Sequence, residues 1–254
     1  MSLALLLALA AVLVRWSADH SAAIVRASPT RCDAPASPSV DLSGCDLREI
    51  SLVGVDLASA NLEKADLRGV DLSGADLTSA NLAGAKLTGA TLVETNLTGA
   101  DLEAADLTRV NAKEADFERA GLARSVLNRA NLQHADLKTN LQFASLISAD
   151  VRGAQLDGAN LSSANLSYAI VDEADLANAN LTSANLTRAN MSSAVLRNAR
   201  MHFADLSFAD LSYSNLSQAD LSEAVLTEAN LTGTRWFETQ CPNGTFQEGS
   251  TPCA

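Results

Sequence analysis

Two histidines outside the N-terminal segment, His134 and His202, are the side chains best suited to general acid–base chemistry, because an imidazole exchanges protons near neutral pH. Neither lies beside a cysteine or serine in a recognisable nucleophile arrangement, so we expect both to be isolated and solvated. Glycines such as Gly69, Gly74 and Gly84 all occupy the last position of a five-residue repeat. Their spacing is therefore that of the repeat and does not indicate a phosphate-binding loop. The sequence therefore predicts a protein that is not an enzyme, without cofactor or metal ion.

The spacing that organises these residues is five. In "ADLANANLTSANLTRAN", residues 174–190, a small residue, an Asp or Asn, and a Leu recur at every fifth position. A five-residue step moves a side chain about 140° around an α-helix and alternates its face on a continuous strand. The pattern works if three residues run extended, with the Ala and Leu pointing inward, and two residues turn the chain. Each pentapeptide is then one short side of a closed coil.

The central Leu allows the repeat to be followed through most of the chain. The centres run in fives from Leu42 to Leu137, restart one residue early at Leu141, and continue to Leu231 and Trp236. Ala fills most positions two before the centre, which indicates an inward slot of limited volume. The Asp or Asn just before the centre suits turns or stacked ladders. We expect a distorted corner where one residue is missing after Leu137.

Tandem A-[DN]-L-x-x repeats over residues 40–236 resemble the pentapeptide-repeat family. One copy of this motif is weak, but about forty copies are highly specific. The resemblance implies an all-β solenoid, a right-handed quadrilateral β-helix with four repeats in each coil and about ten coils in total. The tail "RWFETQCPNGT" also resembles the tails of exported bacterial members of the family.

The N-terminal segment, residues 1–27, predicts export. Its apolar run from Leu3 to Val14 is too short to span a bilayer comfortably, and the segment ends in a V-x-A sequence at Ala27. A cleaved signal peptide is the favoured interpretation, and an uncleaved N-terminal anchor or a cytoplasmic apolar extension are the alternatives.

Residues 28–39 and 237–254 flank the repeat and are predicted to cap its two ends, which protects a solenoid from end-to-end stacking. Four cysteines form two pairs at these ends: Cys32 with Cys45, and Cys241 with Cys253. The C-terminal pair brackets a short, turn-rich segment and predicts a disulfide. The N-terminal pair predicts a second disulfide, although Cys45 occupies an inward slot and would also suit a small buried thiol.

Stacking at twenty-residue intervals predicts two surface features. The first is an acidic column made of Asp56, Asp76, Asp116 and Asp136. The second is a band of outward aromatic residues near the C-terminal end, made of Phe143, Tyr168, Phe203, Phe208 and Tyr213. Each of these aromatics lies two positions after a centre. The band is a candidate interface, and packing over the corners of the coils is the alternative.

The net charge of the chain and its predicted compartment leave two possible functions. The net charge of −12 argues against direct nucleic-acid binding, which needs a basic face. The favoured function is a non-enzymatic structural or interaction solenoid, exported to a periplasm, cell envelope, extracellular medium or thylakoid lumen. It would present flat acidic faces to an unidentified protein partner, or form a homo-oligomer. The alternative comes from the quinolone-resistance proteins that the repeat also resembles, which imitate DNA and bind cytoplasmic DNA gyrase. Export and disulfides argue against this alternative.

Overall fold

The protein is a stack of four-sided coils. The computed structural model describes residue 32, residues 34–249 and residues 252–253, so the predicted signal peptide lies outside the described residues. Parallel bridges pair residues twenty positions apart, from Asp41 with Asn61 to Asp220 with Gln240. Four pentapeptides therefore complete each coil. No helix among the described residues has the length and apolar character needed to cross a membrane.

Each pentapeptide satisfies its backbone donors by one repeating scheme. In the repeat centred on Leu77, the amide of Asp76 donates to the preceding coil and that of Leu77 to the following coil, at 3.0 and 2.7 Å. Ser79 also donates to the following coil, and Ala75 donates to the preceding Leu to close a turn. The fifth amide, on Thr78, donates to the Asp76 side chain at 2.9 Å. Where an Asp or Asn precedes the central residue, its side chain thus supplies the one acceptor that the backbone lacks.

The turn between repeats places a left-handed residue at its third position. In the turn from Leu57 to Ala60, the Ala60 amide donates to the Leu57 carbonyl at 2.9 Å, and Ser59 has a φ of 59°. A type II turn requires positive φ at this place, which favours Gly. Gly, Ser, Asn, Arg and aromatic residues all occur there in this chain.

The interior is a ladder of leucines and alanines. Leu161 and Ala164 are typical, with exposed fractions of 0% and 1%. Phe117, which replaces a central Leu, is also fully buried and follows Ala112 in the preceding central slot. A small residue beside a large one keeps the local core volume nearly constant. Burying each Leu contributes about 2 kcal/mol, and only the neighbouring coils can bury it.

The residue missing after Leu137 is accommodated within one corner. The Thr139 amide donates to the Leu137 carbonyl at 2.8 Å, which forms a three-residue γ-turn. Thr139 is buried, and its hydroxyl donates to the carbonyl of Ala120. Bridges across this coil span nineteen residues, and the spacing of twenty resumes with Asn140 and Asn160. The corner is distorted as expected, and pairing continues on both sides of it.

Disulfides lie at both ends of the rod. Cys32 and Cys45 are joined with a Cα–Cα distance of 5.5 Å, and Cys45 is buried in its inward slot. At the other end, strands β1 (Trp236–Gln240) and β2 (Phe246–Gly249) form an antiparallel hairpin. Cys241 and Cys253 are joined at 5.4 Å, and Trp236 is fully buried. The disulfides and the hairpin thus lie in or next to the two segments that the sequence predicts to be caps.

Leu161→Arg should destabilise the protein far more than Ser162→Arg. The first change buries a charge in the leucine ladder and should cost several kcal/mol, whereas the second lies on a partly exposed turn residue and should change the stability by under about 0.5 kcal/mol. Thermal unfolding of the two purified variants measures the difference. Equal melting temperatures would show that the inward and outward assignments are wrong.

Candidate interaction surface

Five aromatic side chains predicted to face outward do so in the structure. They occupy the left-handed turn position, with φ between 58° and 60°, and their exposed fractions range from 43% to 70%. Stacking places Phe143 and Phe203 on one edge of the rod, Tyr168 and Phe208 on the next edge, and Tyr213 on the third. We call these five residues the aromatic band.

The backbone of the aromatic band does not favour aromatic residues. A bulky side chain at positive φ crowds its Cβ against the backbone and costs roughly 1 kcal/mol relative to Gly. Smaller residues fill the same turn position elsewhere, as at Gly158, Ser163 and Asn178. The turn itself therefore gives no reason for Phe or Tyr at these five positions.

One edge of the band holds a cation between two rings. Arg188 lies twenty residues from both Tyr168 and Phe208, and its backbone bonds place it between them. Its guanidinium carbon lies 5.9 Å from the centre of the Tyr168 ring and 5.0 Å from that of Phe208. Both distances allow cation–π attraction. The rings restrain the guanidinium, and the side chain remains exposed to solvent.

Two rings lean over glycines of the following coil. A Cβ at Gly233 would lie 2.7 Å from the Tyr213 ring, and a Cβ at Gly153 would lie 2.6 Å from the His134 ring. Each glycine occupies the same turn position as the ring, one coil later. Packing over a corner, the alternative for the aromatics, thus applies to Tyr213, although 70% of this residue remains exposed.

His202 is not the isolated side chain expected from the sequence. Its Nδ1 lies 2.7 Å from the Ser222 hydroxyl, and its ring centre lies 3.8 Å from that of Phe203. The Ser222 hydroxyl itself donates to the Asp220 carboxylate. In a Ser–His–Asp triad the histidine accepts the serine proton. Here that proton points to Asp220, so Ser222 is not activated as a nucleophile.

Parallel bridges align the predicted acidic column, and backbone amides close to each carboxylate donate hydrogen bonds to it. Its members are Asp56, Asp76, Asp116 and Asp136. Each carboxylate accepts the backbone amide two residues ahead, at 2.8 to 3.1 Å. Lys138 Nζ also lies 2.9 Å from Asp136, and this hydrogen bond raises the pKa of Lys138. No group of three or more His, Cys, Asp or Glu side chains within the described residues is arranged to hold a metal ion.

One face of the rod departs from the prediction of acidic faces. We call it the second face; it consists of the repeats that stack from Leu47 to Leu226. Its basic residues are Arg48, Arg68, Lys86, Arg109, Arg129 and Arg188, and its acidic residues equal them in number. Arg48 hydrogen-bonds Asp46 at 2.6 Å and lowers the pKa of this carboxyl to about 2. The other three faces carry more acidic than basic residues.

Comparison with protein families identifies the family to which these repeats belong. Eight copies of the family model described as Pentapeptide repeats match the chain between residues 39 and 235. The chain belongs to the pentapeptide-repeat family. The family and its solved structures support the quadrilateral β-helix predicted from the sequence.

Several solved pentapeptide-repeat proteins resemble this one. HetL from the cyanobacterium Nostoc sp. strain PCC 7120, involved in heterocyst differentiation regulation, is 30% identical with a TM-score of 0.52, covering 83% of this chain and 90% of HetL. Rfr23 from the cyanobacterium Cyanothece 51142 is 34% identical with a TM-score of 0.34, and the match covers 37% of this chain and 61% of Rfr23. QnrB1, a plasmid-mediated fluoroquinolone resistance protein, is 18% identical with a TM-score of 0.48, and the match covers 78% of this chain and 92% of QnrB1. Curated protein sequences give no match.

Sequence reasoning misses three exposed residues of this pentapeptide-repeat protein. Arg188 occupies the same turn position as the aromatic band, and its twenty-residue spacing from Tyr168 and Phe208 is the signal that would find it. Phe237 and Phe246 are 56% and 68% exposed on the C-terminal hairpin. A hairpin beyond the regular repeats offers no five-residue register to indicate their exposure.

Gly233→Ala should destabilise the protein more than Gly158→Ala. The φ angles are 70° and 71°, so both variants place a side chain in the left-handed region. Only the new Cβ at position 233 meets a ring, because Gly158 has no neighbouring atom within 4 Å of this point. We expect an additional loss of about 1 kcal/mol, measured by chemical denaturation. Tyr213→Ser in both backgrounds should remove the difference; a persisting difference would show that the ring does not pack there.

Proposed function

We propose that this protein is a non-enzymatic interaction module that acts outside the cytoplasm, in a periplasm, cell envelope, extracellular medium or thylakoid lumen. Its rod of about ten coils would serve as a rigid scaffold, and the aromatic band would bind a protein partner. The observation that carries the proposal is the exposure of five large aromatic side chains on adjacent edges near one end of the rod.

Two physical arguments support binding through the aromatic band. Large exposed aromatic side chains that cluster on one surface mark interfaces, because burying them contributes more than their share of binding energy. The left-handed turn also disfavours these residues, so a role outside the fold accounts for them better than a role in the turn. The rigid rod reduces the entropy lost on binding, since its corners are already ordered by hydrogen bonds.

The disulfides support export. Both pairs of cysteines, at opposite ends of the rod, are bonded, and disulfides persist in oxidising compartments. The apolar run from Leu3 to Val14, within the N-terminal segment of residues 1–27, fits the same interpretation.

The alternative function, a cytoplasmic DNA mimic that binds DNA gyrase, draws support from the net charge of −12 and from the aligned acidic column. Three observations weigh against it. Its carboxylates are engaged with turn amides, and the second face balances acidic and basic residues. The two disulfides also suit an oxidising compartment better than the cytoplasm. We therefore favour the exported interaction module.

Replacing Phe203, Phe208 and Tyr213 together with Gly should abolish partner binding without harming the fold. Glycine accepts positive φ freely, so the triple variant should unfold at an equal or higher temperature than the wild type. Light scattering measures assembly mass, and affinity capture from the envelope and periplasmic fraction of the source organism measures partner binding. Both signals should fall in the variant.

The matched control is a triple glycine variant at Asn178, Asn198 and Gln218. These residues occupy the same left-handed turn position on the edge that lacks aromatics, with φ between 57° and 62°. We expect this control to bind like the wild type. A wild-type protein that is monomeric and captures nothing, with both variants behaving identically, would leave the aromatic band as corner packing.

Export predicts that the mature protein begins near Ser28 and has no free thiol. Removal of residues 1–27 and oxidation of both cysteine pairs account for this expectation. N-terminal sequencing and thiol titration under denaturing conditions measure the two properties on material from the source organism. An intact Met1 with four reactive thiols in the cytoplasmic fraction would contradict export and strengthen the gyrase alternative.

A further inference from the structure

Arg188 is a restrained and unpaired guanidinium. Its guanidinium carbon lies over the rings of Tyr168 and Phe208, at 5.9 and 5.0 Å from their centres. Across the part of the chain that the structure describes, no carboxylate lies within ion-pair distance of it, although acidic residues far outnumber basic ones. The planar N–H edges of a guanidinium match a carboxylate in a bidentate pair. The edge therefore offers a pre-ordered site for an anionic group.

The rest of this edge extends the positive character. Arg109, Arg129, Ser148, Tyr168, Arg188 and Phe208 follow one another in successive coils, as their backbone bonds show. We call these six residues the arginine–aromatic edge. Five coil spacings make it about 24 Å long. None of these six residues is acidic, and the acidic Glu228 follows Phe208 in the next coil. Arg109 and Arg129 also have no ion-pair partner among the described residues.

The second face beside this edge is also free of unengaged carboxylates along this length. Asp106 accepts the Thr108 amide at 2.9 Å and the Thr88 hydroxyl at 2.8 Å. Asp205 accepts the Ser207 amide at 2.9 Å. The surface between these aspartates carries small or uncharged side chains, and Phe143 and Phe203 bound it on the opposite edge.

We infer that the arginine–aromatic edge docks an acidic protein segment, one that presents Asp or Glu beside apolar side chains. This inference rests on the proposed function and names the chemistry of its partner. Charge complementarity selects the place, because Arg109, Arg129 and Arg188 attract such a segment to this edge and to the second face beside it. The third face, on the other side of the edge, carries more acidic than basic residues and repels it. Arg, Tyr and Phe together have the composition of a protein-interface core, and this composition favours a protein segment over a glycan.

A peptide-display selection tests the inference and requires no candidate partner. The full chain, with both disulfides formed, is immobilised and probed with a randomised peptide library. Enriched peptides are synthesised with an amide twin, in which every Asp and Glu is replaced by Asn and Gln. Fluorescence anisotropy then measures binding to the wild type, to Arg188→Gln and to Arg197→Gln. Arg197 is the matched control, since it is an exposed arginine on another face.

We expect the enriched peptides to carry acidic residues next to apolar ones. Arg188→Gln and the amide twin should each weaken binding about tenfold or more, while Arg197→Gln leaves it unchanged. Higher salt should weaken binding to the wild type.

Three results would overturn the inference. The triple glycine variant at Phe203, Phe208 and Tyr213 is measured in the same assay. Peptides that lose binding to this variant but bind Arg188→Gln and prefer no acidic residue would refute the acidic partner and leave the proposed function standing. Enrichment of no peptide above the bare support would refute docking of protein segments on this edge. Retention on heparin that depends on Arg188, with no acidic peptide selected, would assign the edge to an anionic glycan.

Discussion

In most repeats the rod depends on one side-chain hydrogen-bond acceptor, the oxygen of the Asp or Asn that precedes the central residue. Four of the five amides in a repeat find backbone carbonyls, and the fifth does not, as the repeat of Asp76 and Thr78 shows. Where Asp or Asn is absent, another group can take over. Asn128 reaches from the preceding coil to accept the Ile147 amide at 3.0 Å. A narrow coil can therefore form with hardly any regular strand, because the backbone donors of its turns find hydrogen-bond acceptors within the coils.

This constraint separates folding from recognition along the sequence. The inward Leu and Ala and the preceding Asp or Asn are fixed by core volume and by the turn, so they carry little information about a partner. The two turn residues are free to vary, and they hold the aromatic band, Arg188 and most of the basic residues. The variable residues thus lie on edges spaced by the coil, where residues one coil apart align in columns.

Much of this was accessible from the sequence because the repeat is local and uniform. The five-residue period predicts which residues are buried, and Cys45 and Phe117 follow that assignment. The exposure of the aromatics also follows from their place in the repeat. Contacts between coils were harder to foresee, because they join residues twenty positions apart whose rotamers the period does not determine. The clamp on Arg188, the ring of Tyr213 over Gly233 and the pairing of His202 with Ser222 belong to this group.

The nineteen-residue coil at Thr139 raises the question of how insertions and deletions change the direction of each edge around the axis of the rod. One lost residue was absorbed by tightening a single corner, so every edge beyond it stayed in line with the edge before it. Loss or duplication of one whole pentapeptide would instead rotate everything downstream by a quarter of a turn relative to the N-terminal disulfide. Gain or loss of four pentapeptides would change only the length. Whole-coil changes therefore alter only the length of the rod, whereas changes of a single repeat alter the direction in which the arginine–aromatic edge points.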